Sequence, residues 1–224
     1  GLGDVYKRQV YGFLNIMFKI LDEEKPEYLT VTFDVHAPTF RHEMFADYKG
    51  TRKPMAEELR QQVPVIKDVL RAMHIEVIEK AGLEADDLLG TLSHRCEEKG
   101  MDVSIISGDR DTLQLATEHI KIRIPKTKQG KTEVEDYYAA DVQERYGVTP
   151  KEFIDVKALM GDTADNIPGV PGVGEKTATK IIQQYQTIEN AYEHVDELKP
   201  PRASKNLKAV SYTHLRAHET RRHL

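Results

Sequence analysis

With one cysteine, Cys96, among 224 residues, no intramolecular disulfide is possible. Packing and hydrogen bonding must hold the fold, and a reducing compartment is expected. Tryptophan is absent, and no apolar run nears the roughly 18 residues of a membrane span, so no membrane partner is expected. The nine histidines make no HxH or HExxH spacing, which argues against a zinc site. Cys96, in "SHRCEEKG", has no partner motif and reads as an inert thiol. Internal repeats and low-complexity tracts are also lacking. What is present is 39% hydrophobic and 31% charged, with length for one sizeable domain or two small ones. The net charge of −5 is the feature that speaks against nucleic acid as a partner.

The two ends look foreign to the rest. "LGDVYKRQ", residues 2–9, and "VSYTHLR", residues 210–216, can be translated from one short DNA element read on opposite strands. That element resembles a sequencing-library transposon adapter. Residues 1–9 and 210–224 are therefore expected to be scars, with the natural chain running from about Val10 to about Ala209.

Between the ends, "VYGFLNIMFKIL" has helical apolar spacing, and "EYLTVTFD", ending at Asp34, reads as a buried strand. "TFRHEMFADYKGTRKP", residues 39–54, is basic and aromatic with weak periodicity, and is expected as an exposed arch or loop. A helix follows with Pro64 inside it, where a kink is expected. "IEVIEK" and "MDVSIISGD" read as strands around the helix "EADDLLGTLSHRCEEKG", and "HIKIRIP" as a fourth strand. This alternation predicts an α/β unit with a mostly parallel central sheet over residues 10–135. From 136 to 209 the pattern predicts helices only.

Acidic residues fall in four clusters: Asp34; Glu84, Asp86 and Asp87; Asp109 and Asp111; Asp162 and Asp165. Each has an ordinary explanation as a first-turn acid, an N-cap or a turn residue. Together they say more. Asp34 and Asp109 both end apolar strands, and ligands bind along the carboxyl edge of a parallel sheet. Carboxylates at close range need a counter-charge, and oxygen-only donors select Mg²⁺ or Mn²⁺. Two such ions could clamp a phosphodiester displacement. If eight of the 37 acidic residues are committed to metal, 29 remain against 32 basic ones, and the rest of the surface is mildly basic. Arg41, His42, Lys49, Arg52 and Lys53, interleaved with Phe40, Phe45 and Tyr48, then suit a nucleic-acid strand as well as they suit a solvated loop. In "GVPGVGEKTA", Gly169, Gly172 and Gly174 let backbone approach a phosphate, the following helix offers its N–H groups, and Lys176 and Lys180 add charge.

Taken together, "FD", "TFRHEMFADYKGTRKPM", "LEADDLLGTL", "SGDRDTLQL" and "KALMGDTADNIPGVPGVGEKTA" resemble the 5′ nuclease domain at the N-terminus of bacterial DNA polymerase I, within the flap endonuclease family. The resemblance implies a PIN-like domain with a helical arch, then an all-helical helix-three-turn-helix region carrying a helix-hairpin-helix motif. It implies metal-dependent 5′-3′ exonuclease and flap-endonuclease action on DNA with a 5′ flap, nick or RNA primer, in replication and repair, by a cytoplasmic monomer. Two Mg²⁺ or Mn²⁺ ions would be held by Asp34, Glu84, Asp86, Asp87, Asp109, Asp111, Asp162 and Asp165. Arg41 and Lys49 match positions that contact the scissile phosphate. Arg52, Lys53, Gly169, Gly172, Gly174, Lys176, Thr177 and Lys180 would grip the DNA, with K⁺ at the hairpin.

The resemblance also implies an opening strand with an aspartate, where this chain has the adapter-like segment, and a polymerase domain in the parent chain. Two other readings stand beside it. One is a catalytically impaired fragment that only binds flaps or nicks. The other is a PIN-like ribonuclease, which would not need the hairpin.

Overall fold

The computed structural model describes residues 2–128 and 131–209. The expected C-terminal scar, 210–224, lies outside them, and residues 2–9 are the opening turns of the first helix.

Helix α1 (Leu2–Glu24) leads to strand β1 (Thr30–Thr32). A short helix α2 (Phe40–Met44) precedes α3 (Glu57–Ala72), which continues through Pro64 as one element. Strand β2 (Glu76–Ile78) runs parallel to β1, with Thr30 opposite Glu76 and Thr32 opposite Ile78. The helical spacing of Val10, Phe13, Leu14, Met17 and Leu21 gives α1 one apolar face. It packs with Ile66 and Leu70 of α3 over Val31 and Val77.

Helix α4 (Ala85–Glu98) buries Leu88, Gly90, Thr91 and Ser93 and packs on both β1 and the next strand, β3 (Val103–Ile106). Small residues on that face let the helix lie close to two strands that are not hydrogen-bonded to each other. Gly100, with φ +79°, stops the helix as expected. A 3-10 turn (Arg110–Leu115) leads to β4 (Ile120–Lys128), parallel to β3.

Strand β5 (Lys131–Tyr137) pairs antiparallel with β4, a hairpin the sequence pattern did not reveal. "KTEVEDY" is too charged to read as a strand. It is fixed by charge across the ladder, with Arg123 on Asp136 at 2.8 Å and Lys126 on Glu135. The expected boundary between residues 135 and 136 falls inside this strand. Glu23 and Glu24 of α1 also reach Arg123, each at 2.7 Å, which ties the first helix to β4.

The rest is helical: α5 (Ala139–Tyr146), α6 (Pro150–Met160), α7 (Glu175–Tyr185), α8 (Ile188–Glu193) and α9 (Pro201–Lys208). Thr149 caps α6 in a capping box with Glu152, and Pro150 fills its first turn. Between α6 and α7, β6 (Gly161–Asp162) and β7 (Ile167–Pro168) form a minimal antiparallel hairpin. One apolar cluster joins Ile105 and Ile122 of the sheet to Val142, Leu159, Ile182, Ile188 and Leu207 of the helices, so both regions share a core.

The segment from residue 39 to 54 departs from its expectation. It is not an exposed arch along its length. Thr39, Arg41 and Tyr48 are buried, and Tyr48 packs with Phe45 against Ile167. Backbone bonds hold it down: Lys49 N–H donates to Asp165 O at 2.8 Å, and Asn166 Nδ2 donates to Asp47 O at 2.7 Å. Arg52 and Lys53 remain exposed.

Candidate active site

Four segments deliver the acidic residues. Asp34 follows β1, Asp109 follows β3, Glu84 to Asp87 open α4, and Asp162 ends β6 with Asp165 in the turn between β6 and β7. Asp34 Oδ1 accepts the Ala85 N–H at 2.7 Å, tying the end of β1 to the first turn of α4. Asp109 caps the 3-10 turn by accepting the Asp111 N–H at 2.8 Å.

Their electrostatics show convergence. Burial raises the Asp86 carboxyl to about 7, and Asp109, Asp34, Glu84 and Asp111 add to the rise. Asp109 is also raised, by burial and then by Asp111 and Asp165, against the Asp111 N–H bond and Lys157. Five carboxylates from three segments therefore share one field at Asp86.

Several of the acids, including Glu84 and Asp111 of that group, are paired with bases of the chain. Lys49 donates to Glu84 Oε1 at 2.7 Å, and Tyr48 OH to Glu84 Oε2 at 3.1 Å. Tyr48 OH also reaches Asp165 Oδ2 at 3.3 Å, and Arg52 pairs with Asp165 while donating to Ala164 O. Burial, then Glu84 and Asp165, raise the Tyr48 hydroxyl, so it stays a donor. Lys157 lies 3.0 Å from Asp111 and 3.0 Å from Asp162. Burial pushes Asp162 up, but the Lys157 ammonium outweighs it and leaves the carboxyl below its ordinary value. Lys49 and Asn166 adopt left-handed backbone, each with φ +56°, in two segments that hydrogen-bond to each other, Lys49 N–H to Asp165 O and Asn166 Nδ2 to Asp47 O.

Two expected site residues sit elsewhere. Asp87, expected among the metal ligands, is fully buried and takes both guanidinium nitrogens of Arg41, at 2.8 and 2.9 Å. Its Oδ2 also accepts the Glu84 N–H at 3.0 Å, so its oxygens are committed to the fold. Arg41, expected at the scissile phosphate, is correspondingly 3% exposed and lies under the acidic cluster. Burial works to lower its pKa, but Asp87 and Glu84 raise it, so it is permanently charged.

Among the described residues, no three His, Cys, Asp or Glu side chains are gathered tightly enough to hold one ion. The donor chemistry nevertheless fits a hard divalent cation. All the converging groups are carboxylates, and Asp86 is raised toward neutrality first by its burial and then by the carboxylates around it.

The hairpin expected to grip DNA lies beside this cluster. Gly172 has φ +76°, and Gly174 is the N-cap of α7, with open space where a Cβ would be. Lys176 and Lys180 are exposed, and Thr177 is half-buried behind them. Gly169 has a different reason to be glycine: its Cβ would stand 2.3 Å from the Met160 carbonyl carbon. Sequence reading missed Lys157 and the hydrogen-bonding role of Tyr48. A lysine in the last turn of a helix looks like an ordinary dipole partner, and nothing in its spacing marks it out.

The model for the 5′-3′ exonuclease N-terminal resolvase-like domain matches residues 4–147, and that for the 5′-3′ exonuclease C-terminal SAM fold matches residues 148–219. The chain belongs to the 5′-3′ exonuclease family. Relatives include DNA polymerase I of Bacillus caldotenax, 46% identical over 204 residues, and of Bacillus subtilis (strain 168), 45% identical over 203. Each alignment covers 91% of this chain and 23% of the relative, so the chain spans less than a quarter of those polymerases. Among solved structures, the 5′-exonuclease of bacteriophage T5 with bound zinc ions aligns with a TM-score of 0.78 at 24% identity, covering 97% of this chain and 84% of that one. The catalytic core of Rad2 in complex with DNA substrate aligns with a TM-score of 0.58 at 19% identity, covering 89% and 62%. The fold of this 5′-3′ exonuclease domain is thus the PIN-like α/β unit followed by a helical region. Among its described residues no helix is long and apolar enough to cross a membrane.

Proposed function

We propose that this chain is the nuclease part of a DNA polymerase I and acts as a structure-specific 5′-3′ exonuclease and flap endonuclease on DNA. The observation that carries the reading is that Asp34, Glu84, Asp109 and Asp111, from three segments at the strand ends, all act on the buried carboxyl of Asp86. Two Mg²⁺ or Mn²⁺ ions bound there would supply an activated water and stabilise the leaving oxygen.

The chain's own residues do the rest. Asp34, Glu84, Asp86, Asp109, Asp111, Asp162 and Asp165 offer oxygen donors. Lys49, at the rim and 21% exposed on its side chain, turns its ammonium from Glu84 toward an incoming phosphate. Arg41 stays inside and holds the first turn of α4 in place through Asp87. The hairpin around Gly172 and Gly174, with Lys176, Thr177 and Lys180, positions duplex phosphates without reading sequence, and its carbonyls suit a K⁺ ion. Arg52 and Lys53 extend the charged track. In the parent protein the substrates are flaps, nicks and RNA primers of replication and repair in the cytoplasm. The nuclease part acts as a monomer beside the polymerase domain.

A second reading, a module that binds flaps or nicks without cutting, is favoured by one observation: among the described residues no three carboxylates stand close enough to share an ion. The deciding experiment is cleavage of an end-labelled duplex carrying a 5′ flap, with Mg²⁺ or Mn²⁺, with chelator, and with Asp109→Ala. The expected outcome is metal-dependent cutting near the junction, lost in the variant. Retained flap binding without cutting would give the second reading.

A further inference from the structure

Lys157 sits in the last turn of α6 with a side chain only 17% exposed. Its ammonium bridges two carboxylates from separate segments, Asp111 Oδ1 and Asp162 Oδ2, at 3.0 Å each. Neither end of this bridge is loose. Asp162 is oriented by its own turn, where Oδ1 accepts the N–H groups of Ala164 at 2.7 Å and Asp165 at 3.3 Å. That leaves Oδ2 aimed at the lysine. On the other side, buried Phe153, Ile154, Val156, Ala158 and Leu159 lock α6 against α7 and the 3-10 turn that carries Asp111.

Resting on the metal-dependent reading above, we propose that Lys157 is a tethered counter-cation that competes with a divalent ion for Asp111 and Asp162 and thereby sets how tightly the site binds metal. An ammonium is a three-donor point charge that uses the same carboxylate lone pairs as a metal ion. Mg²⁺ requires oxygens at about 2.0–2.1 Å in near-octahedral array, which two oxygens already bonded to an ammonium do not offer. The ion enters by displacing the lysine from at least one carboxylate. In return, the metal-free chain folds without two bare carboxylates facing each other.

The test titrates Mn²⁺ into the 224-residue chain and into Lys157→Met, Lys157→Gln and Lys157→Arg, reading free ion by electron paramagnetic resonance and heat by calorimetry. Removing a like charge a few ångströms from the ion, in a half-buried site, makes the Met and Gln variants bind Mn²⁺ about tenfold tighter. The Arg variant keeps the wild-type affinity. Metal-free, Lys157→Met melts lower than wild type and gains more from added Mn²⁺. A second measurement uses the wild-type chain: acetylation of Lys157, followed by mass spectrometry, speeds up when Mg²⁺ is added because the ammonium is released.

Folded Met and Gln variants with unchanged or weaker Mn²⁺ affinity overturn the proposal and leave the metal-dependent reading standing. So does Mg²⁺-independent acetylation of Lys157 in a wild type that binds the ion. If neither wild type nor variants bind Mn²⁺, both readings fall.

Discussion

Arg41 donates two parallel hydrogen bonds to Asp87, from Nη1 to Oδ2 at 2.8 Å and from Nη2 to Oδ1 at 2.9 Å, with both side chains buried. Such a pair gains little over apolar residues of the same volume, but breaking it leaves a lone buried charge. Asp87→Ala should therefore cost about 3–5 kcal/mol. Urea denaturation in the presence of chelator should show the full loss, and added Mg²⁺ should not change the difference from wild type. A difference that appears only with metal would return Asp87 to the ligand set. The double replacement Arg41→Met with Asp87→Leu should cost less than either single truncation.

Asp86 makes the metal-free chain less stable as pH rises. Its carboxyl titrates at about 7 in the fold against an ordinary 3.8. Between those values the unfolded chain has released a proton that the folded chain still holds, so folding stability falls with pH across that window and stays low above it. Asp86→Asn has no proton to lose. In chelator it should melt several degrees above wild type at pH 8, with a much smaller gap at pH 5. Mg²⁺ should raise the wild-type melting temperature more at pH 8 than at pH 5. Equal gaps at both pH values would mean that Asp86 is ionised throughout.

Much of this site is legible in the sequence because its chemistry lies in short local patterns. Asp34 and Asp109 could be placed at strand ends from the β-branched runs before them, and Glu84 to Asp87 at a helix start from the apolar periodicity after them. What spacing cannot show is which way a side chain points across the fold. Asp86 and Asp87 are adjacent, yet one enters the acidic field and the other turns 100° around the helix into a buried ion pair. Arg41 reads as a surface charge in a basic run because its partner is 46 residues away. The strand β5 is hidden for a similar reason: it is held by Arg123 and Lys126 of β4 and by Lys19 of α1, which donates to Thr132 O at 2.7 Å, and carries little apolar signal of its own.

Gly169 and Gly174 look alike in the hairpin motif but should respond differently to alanine. A Cβ on Gly169 would meet the backbone of Met160 and Gly161 at 2.3 and 2.4 Å, and no side-chain rotation relieves that. Gly169→Ala should destabilise the chain by about 3 kcal/mol, the upper range for an overpacked interior. At Gly174 nothing lies within 4 Å and φ is −95°, so Gly174→Ala should fold normally. Thermal melts of the two variants check the contrast. Similar melting temperatures would mean that the β6–β7 hairpin yields more than its close backbone contacts suggest.

Lys176 and Lys180 lie one turn apart on the exposed side of α7, directly after the Gly172 turn. Among the described side chains neither pairs with a carboxylate, in contrast to Lys49, Arg52 and Lys157 inside the acidic site. They are therefore placed to neutralise phosphate, not the protein's own acids. Each contact releases condensed counterions, so replacing one lysine with alanine should weaken flap-DNA binding and lower the slope of log affinity against log salt by about 0.9. The double variant should lose about twice that slope, roughly equally for all sequences, because phosphate contacts carry no base information. Fluorescence anisotropy with a labelled 5′-flap duplex at several salt concentrations measures both quantities. The melting temperature should stay at the wild-type value, since neither lysine is buried. An unchanged salt slope in the double variant would move the duplex contact away from α7.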